Sequence, residues 1–153
     1  MLNNAGVGDI IDEMVRITRP GGWVALQDLD KLAWACEPAH PAWDRILDAF
    51  RAARAAAGYD EYVGRRLPGL LRARGLHDVG FDVHARVWDR PEDPNKTKLV
   101  HFARVLREPI LASGRISAEQ LDQDVPALAE HLSDPDTFVV NALMAQAWGR
   151  VPR

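Results

Sequence analysis

Two carboxylates and a histidine carry the means for proton chemistry in this chain. Asp28 and Asp30 close the run Trp23-Val24-Ala25-Leu26-Gln27-Asp28-Leu29-Asp30, and Trp34, Cys36, His40 and Trp43 follow closely. Acids at the exit of a strand can act as a general base or accept a hydrogen bond from a substrate; they also serve as solvated loop residues or helix caps. Asp28 is the candidate base and Asp30 the candidate substrate contact. His40 is a second candidate catalytic residue, or a loop histidine packed beside Trp43. Trp34 and Trp43 have the shape to wall an apolar substrate pocket, although Trp at helical spacing is also ordinary core. Arg65 and Arg66 could hold an anionic substrate group, and with Arg72 and Arg74 they equally fit a solvated helix face. A Cys36–His40 nucleophilic pair lacks an orienting third group and any recognisable oxyanion motif. Asp28, Asp30 and His40 match no established metal-ligand spacing, so no metal is expected.

These residues need elements to position them. Asp9 reads as the N-cap of a helix over 9–18, with Ile10, Ile11, Met14 and Val15 on one face. Pro20 ends helical geometry and Gly21-Gly22 permit a sharp reversal into Trp23–Leu29. That run alternates little, which predicts a parallel strand covered on both faces by helices, with its acids at the ligand-binding end of the sheet. Residues 31–41 read as a loop or lid. A helix over 41–57 stops at Gly58, and a second over 68–75 carries Pro68 in its first turn and closes at Gly75. A half-buried strand follows over 79–88 and a Pro- and Asp-rich link over 89–95. A helical insertion spans 97–132, in which Ser117-Ala118-Glu119-Gln120 is a capping box and Pro126 kinks or restarts the helix. The last strand covers 138–151, with Gly149 marking a bulge. The whole reads as one domain.

Composition sets the outer limits. With 153 residues, 47% hydrophobic and 27% charged, the chain is long enough to bury a core and too apolar to be disordered. A net charge of -3 supplies no basic field, so nucleic acid and anionic membranes are not expected partners. One cysteine excludes an internal disulfide and fits a reducing, cytoplasmic setting; no apolar run is long enough to span a bilayer.

Glu13-Met14-Val15-Arg16 and Arg19-Pro20-Gly21-Gly22-Trp23-Val24 resemble the segment before the fifth sheet strand of class I S-adenosylmethionine-dependent methyltransferases, in the small-molecule branch that contains quinone C-methyltransferases. Gly64-Arg65-Arg66-Leu67-Pro68, Leu70-Leu71, Arg74-Gly75-Leu76 and Asp78-Val79 are similar to the helix and sixth strand of that branch, and Gln146-Ala147-Trp148-Gly149-Arg150 to its final strand. The resemblance implies an α/β fold, the carboxy-terminal half of a Rossmann-like methyltransferase domain. Three strands remain, the last antiparallel, with the helical insertion between the last two.

It also implies S-adenosylmethionine as cofactor, yet the Gly-rich loop and the ribose-binding acid of the family's first half have no counterpart. Gly6-Val7-Gly8 follows too few residues for a strand to lead into it and lacks the third glycine. Asn3 and Asn4 fall where family loops border donor and acceptor, which makes them the candidate cofactor contacts. The family's fifth strand lies between its fourth and seventh. Without the fourth, Trp23–Leu29 would leave an edge unpaired, and association through that edge, as a homo-oligomer or with another subunit, is expected. Three functions follow: a methyltransferase-like protein acting on an unidentified small molecule and doubtful in activity alone; a non-catalytic module pairing through the edge; or an unrelated enzyme using Asp28, Asp30 and His40.

Overall fold

The computed structural model describes residues 6–153. In chain order its elements are α1 (Val7–Ile17), β1 (Trp23–Asp30), a short 3-10 turn (Lys31–Ala33), β2 (Ala35–Glu37), α2 (Pro41–Ala56), α3 (Val63–Arg72), β3 (His77–His84), β4 (Val87–Trp88), α4 (Lys98–Val105), α5 (Arg107–Ala112), α6 (Ala118–Ser133), β5 (Phe138–Val140) and β6 (Leu143–Arg150). The fold is mixed α/β with two small antiparallel sheets, ordered β1-β6-β3 and β2-β5-β4. By its internal packing the described chain forms two compact units: residues 6–32, Gly58–Ala85 and Ala142–Arg153 form the first, Ala33–Ala57 and Arg86–Asn141 the second. Among the described residues no helix is long and apolar enough to cross a membrane.

In the first unit, α1 and α3 pack on one face of the β1-β6-β3 sheet, and Ile11, Val24, Leu26, Leu67, Leu71 and Ala147 are buried between them. The reversal into β1 is local. Gly21 adopts φ 73°, a left-handed conformation that suits glycine, and its N–H donates to Val151 O at 3.0 Å; Gly22 N–H donates to Arg19 O at 2.8 Å. Gly64 lets α3 approach the sheet closely, since a Cβ there would lie 2.9 Å from Ala145 Cβ and 3.0 Å from the Leu29 backbone. β6 pairs antiparallel with β1 on one side and with β3 on the other, so β1 and β3 run in the same direction with β6 between them.

The first strand differs from its expected form. Every hydrogen-bonded strand pair is antiparallel. β1 also alternates strictly at first: Trp23, Ala25 and Gln27 are exposed, whereas Val24, Leu26, Asp28 and Asp30 are buried. Helices cover one face of the sheet, so apolar Trp23 and Ala25 lie on the open one. The unbroken apolar run in the sequence thus reflects hydrophobic residues on both faces, not burial of both.

Other boundaries shift for local reasons. Gly6 is the N-cap of α1, and Asp9 lies in its first turn. Helix α3 begins at Val63, which takes Gly64, Arg65 and Arg66 into the helix and places Pro68 in its interior. The strand expected over 79–88 divides into β3 and β4, and that over 138–151 into β5 and β6, because each run passes from one unit to the other. Gly149 keeps register with Val24 on β1; the bulge lies opposite it, between His77 and Gly80 of β3, where Asp78 has φ 52°. The first part of the helical insertion predicted over 97–132 breaks at Leu106, the C-cap of α4. Helix α6 runs through Pro126 unbroken; Ser117 accepts the Gln120 N–H at 3.1 Å, the N-cap half of the expected box, while the Gln120 side chain donates to Asp124 at 2.9 Å in place of the return bond.

The second unit packs α2 against α4, α5 and α6. Its centre is aromatic: the rings of Phe50 and Phe102 stack at 5.3 Å, and Trp34 meets both and Trp43 edge-on. Arg45 binds Asp124 through two N–H donors, at 2.8 and 2.6 Å, and buried Lys96 donates to Asp134 O at 2.8 Å. The segment read as a loop over 31–41 holds the 3-10 turn and β2, which pairs with β5.

Candidate functional site

The first unit contains a cavity of about 350 Å³ on the α3 side of the sheet, lined by Asp30, Arg65, Phe81, Val83, Leu143 and Ala145. Strand parity builds it. Asp30 is the last residue of β1, pairs with Leu143 of β6, and shares its face with Ala145; Val83 pairs with Ala145 across the β3–β6 ladder, and Phe81 lies two residues before it. Helix α3 contributes Arg65 from its first turn. The result is an apolar trough with one ion pair at its rim, in the size range of about 300–1,000 Å³ usual for small-molecule pockets.

The ion pair is specific in geometry. Arg65 Nη2 donates to Asp30 Oδ1 at 2.8 Å and Nε donates to Oδ2, a two-pronged contact. Asp30 is buried, while the Arg65 side chain is about half exposed. The hydrogen bond to Asp30 pushes the Arg65 guanidinium further up from its ordinary value, so the arginine stays charged at neutral pH. Asp30 Oδ1 also accepts the Leu32 N–H at 3.0 Å, which fixes the carboxylate where the chain leaves β1. Arg65 further lies over the Tyr62 ring at 5.3 Å, and its Nη1 makes no hydrogen bond to the described residues. That nitrogen is a donor at the rim. Behind the pair, Lys31 N–H donates to Glu61 O at 3.0 Å and Lys31 Nζ pairs with the Glu61 carboxylate, both side chains buried. This second bridge ties the end of β1 to the segment that enters α3.

Of the residues singled out by sequence, the structure brings together Asp30 and Arg65. Asp28 is buried on the same face, its Oδ1 accepting the Leu29 N–H at 2.7 Å, and it does not line the cavity. Arg66 pairs with Asp60 at 2.9 Å on the exposed side of α3. Arg74 binds Asp12 at 2.6 Å and Gly8 O at 2.9 Å, a structural clamp between α1 and the turn that follows α3 rather than a solvated side chain. Asn3 and Asn4 lie outside the described residues.

Trp34, His40 and Trp43 belong to the second unit. Both tryptophans are core, and their indole N–H groups are buried without a hydrogen bond. His40 is the N-cap of α2: its Nδ1 accepts the Ala42 N–H at 3.2 Å, and its ring stacks on His131 at 4.7 Å. That nitrogen is engaged at the start of the helix. Burial pushes the Cys36 thiol up, away from the thiolate that a nucleophile needs. Among the described residues no cluster of three or more His, Cys, Asp or Glu is placed to hold a metal ion.

Sequence reasoning missed the apolar walls. Phe81 and Val83 stood out only as alternate residues of a strand, and Leu143 and Ala145 carried no signal of their own. Their convergence depends on pairing β3 with β6 across more than a third of the chain, which no local pattern encodes. No protein-family model matches the chain. No curated protein matches it either.

Proposed function

We propose that this chain is methyltransferase-like, built on the carboxy-terminal part of the sheet of a class I S-adenosylmethionine-dependent methyltransferase, and that the trough under α3 receives a small, largely apolar molecule on the acceptor side. One observation carries the reading: β6 runs antiparallel between β1 and β3, as the resemblance implies for a final antiparallel strand beside the fifth. Arg19-Pro20-Gly21-Gly22 is the turn before β1, Gly64-Arg65-Arg66-Leu67-Pro68 opens α3, and Gln146–Arg150 lies in β6.

The described residues do not fit the methyl donor. A nucleoside-bearing sulfonium needs a cradle of backbone N–H groups after a strand and an acid for the ribose. Here α1 opens at Gly6 with no described strand before it, Asp28 is turned to the Leu29 N–H, and Asp30 is held by Arg65. No transfer step is therefore drawn through the donor. What these residues can do is bind and orient. Phe81, Val83, Leu143 and Ala145 exclude water from an apolar body, and Arg65 Nη1 offers a hydrogen bond to an acceptor oxygen at its edge.

The test is a thermal-shift titration with 2-methyl-1,4-naphthoquinone, an apolar molecule with carbonyl oxygens, beside calorimetry with S-adenosylmethionine. The quinone should raise the melting temperature of the wild type and leave Val83→Glu unmoved. An equal shift in both proteins, or none in either, rejects the trough as the binding site. Heat on adding S-adenosylmethionine supports a donor role for this chain. Absence of both signals removes the methyltransferase reading and leaves the non-catalytic one.

A further inference from the structure

Beyond any role of the trough, we infer that β1 is an interface strand, pairing antiparallel with β1 of a second copy of this chain so that two three-stranded sheets join into one.

The first ground is the unequal treatment of the sheet's two edges. β3 is blunted: it carries a bulge between His77 and Gly80, a left-handed Asp78, and an exposed Asp82–His84 pair at 2.9 Å. These are devices that keep an edge from pairing. β1 has no bulge and no left-handed residue, and its two charges, Asp28 and Asp30, are turned to the helix face. It runs eight residues, Trp23–Asp30, in unbroken register with β6, without Pro, Lys, Arg or a bulge.

The second ground is what the edge presents. Val151 N–H donates to Gly22 O, and Leu29 N–H is taken up by its neighbour's carboxylate, Asp28 Oδ1. Both facts set one parity: even-numbered residues turn their backbone groups to β6, and odd-numbered ones turn theirs away. Trp23, Ala25 and Gln27 thus offer N–H and C=O groups to the bare edge, where the sheet has no further strand among the described residues. Another extended backbone can take the place of water along such a row, pairing every second residue at once.

The third ground is self-complementarity. A two-fold axis at Leu26 opposes Ala25 to Gln27 and Trp23 to Leu29 of the other copy, all on the open face, and Val24 to Asp28 on the helix face. Like charges never meet. Trp23, 54% exposed, gains an apolar neighbour, and the Ala25 and Gln27 backbones exchange hydrogen bonds in both directions. The pairing is isologous and the blunted β3 edges cap it, so growth stops at two.

Sedimentation velocity on the full chain, from about 1 to about 100 μM, should show a monomer–dimer equilibrium with a dissociation constant on the order of 10 μM, as expected of an interface below standard size. Ala25→Pro removes one outward N–H and no bond to β6, and should weaken the dimer at least about tenfold. Hydrogen exchange on the wild type gives an independent readout that requires no variant to fold: the Ala25 and Gln27 amides should become protected as concentration rises. A monomer throughout, or a dimer in which these two amides exchange equally fast at both concentrations, overturns the inference.

Discussion

Arg65 on α3 holds Asp30 at the end of β1 through both carboxylate oxygens, the Nη2–Oδ1 arm measuring 2.8 Å, and so joins helix to strand at the rim of the trough. The two partners are unequal: Asp30 is buried and Arg65 is half exposed. Removing the arginine takes the guanidinium from a carboxylate inside the protein. Removing the acid frees a guanidinium that can turn to water.

That inequality predicts an order of costs. Arg65→Met, which keeps the apolar stem, should be the costlier change because it leaves the buried Asp30 carboxylate without its guanidinium, though less costly than breaking a fully buried pair, since one partner already meets solvent. Asp30→Asn, similar in shape and still able to accept hydrogen bonds, should cost about 1 kcal/mol. Urea unfolding of both variants checks the order, and a larger loss for Asp30→Asn contradicts it.

Two glycines of α3 should respond oppositely to the same substitution. Gly64→Ala drives a methyl to 2.9 Å from Ala145 Cβ and 3.0 Å from the Leu29 backbone, and should destabilise by about 1–3 kcal/mol. Gly69 has open space around its Cα, so Gly69→Ala should stabilise by about 0.5–1 kcal/mol through the lower entropy of the unfolded chain. Parallel thermal melts decide it.

How far the sequence reveals the site follows from the range of the interactions that build it. The turn at Gly21-Gly22, the stop at Gly58 and the Ser117 N-cap are settled within a few residues, and the structure has each, although the Gln120 side chain turns to Asp124 rather than back to Ser117. Arg65 and Arg66 are adjacent and chemically alike, so composition treats them as equivalent. About 100° of helical rotation separates them, sending one to Asp30 and the other to Asp60. His40 had a local signal: it precedes Pro41 at the first helical position, where an N-cap belongs, although histidine is not among the usual capping residues. Trp34 and Trp43 had none, because a pocket wall and a core demand the same apolar bulk. The open face of β1 was misread because an apolar residue on an exposed face looks, in sequence, like one on a buried face.

The second unit should lose stability in acid through Asp124. Hydrogen bonds from Arg45 hold its carboxyl below the ordinary carboxylate range, whereas in the unfolded chain it titrates near the usual value of about 3.9. A folded value below the unfolded one contributes stability that is complete above about pH 4 and is lost as pH falls through the folded value. Asp124→Asn should therefore be clearly less stable than the wild type at pH 7, and the gap should narrow steadily below about pH 4. A gap that stays constant from neutral pH into acid assigns the acid sensitivity elsewhere.

Cys36 reports on opening of the second unit. Its side chain is buried on β2 between exposed neighbours, and burial pushes the thiol up, so both access and ionisation oppose reaction. Alkylation by a small reagent at mildly alkaline pH should run at least about 100-fold slower than in denaturant, limited by local unfolding. Because β2 pairs with β5, Val139→Ala, a truncation directly across from Cys36, should raise that rate while leaving the first unit's unfolding unchanged. Rapid labelling of the native wild type contradicts a closed β2–β5 ladder.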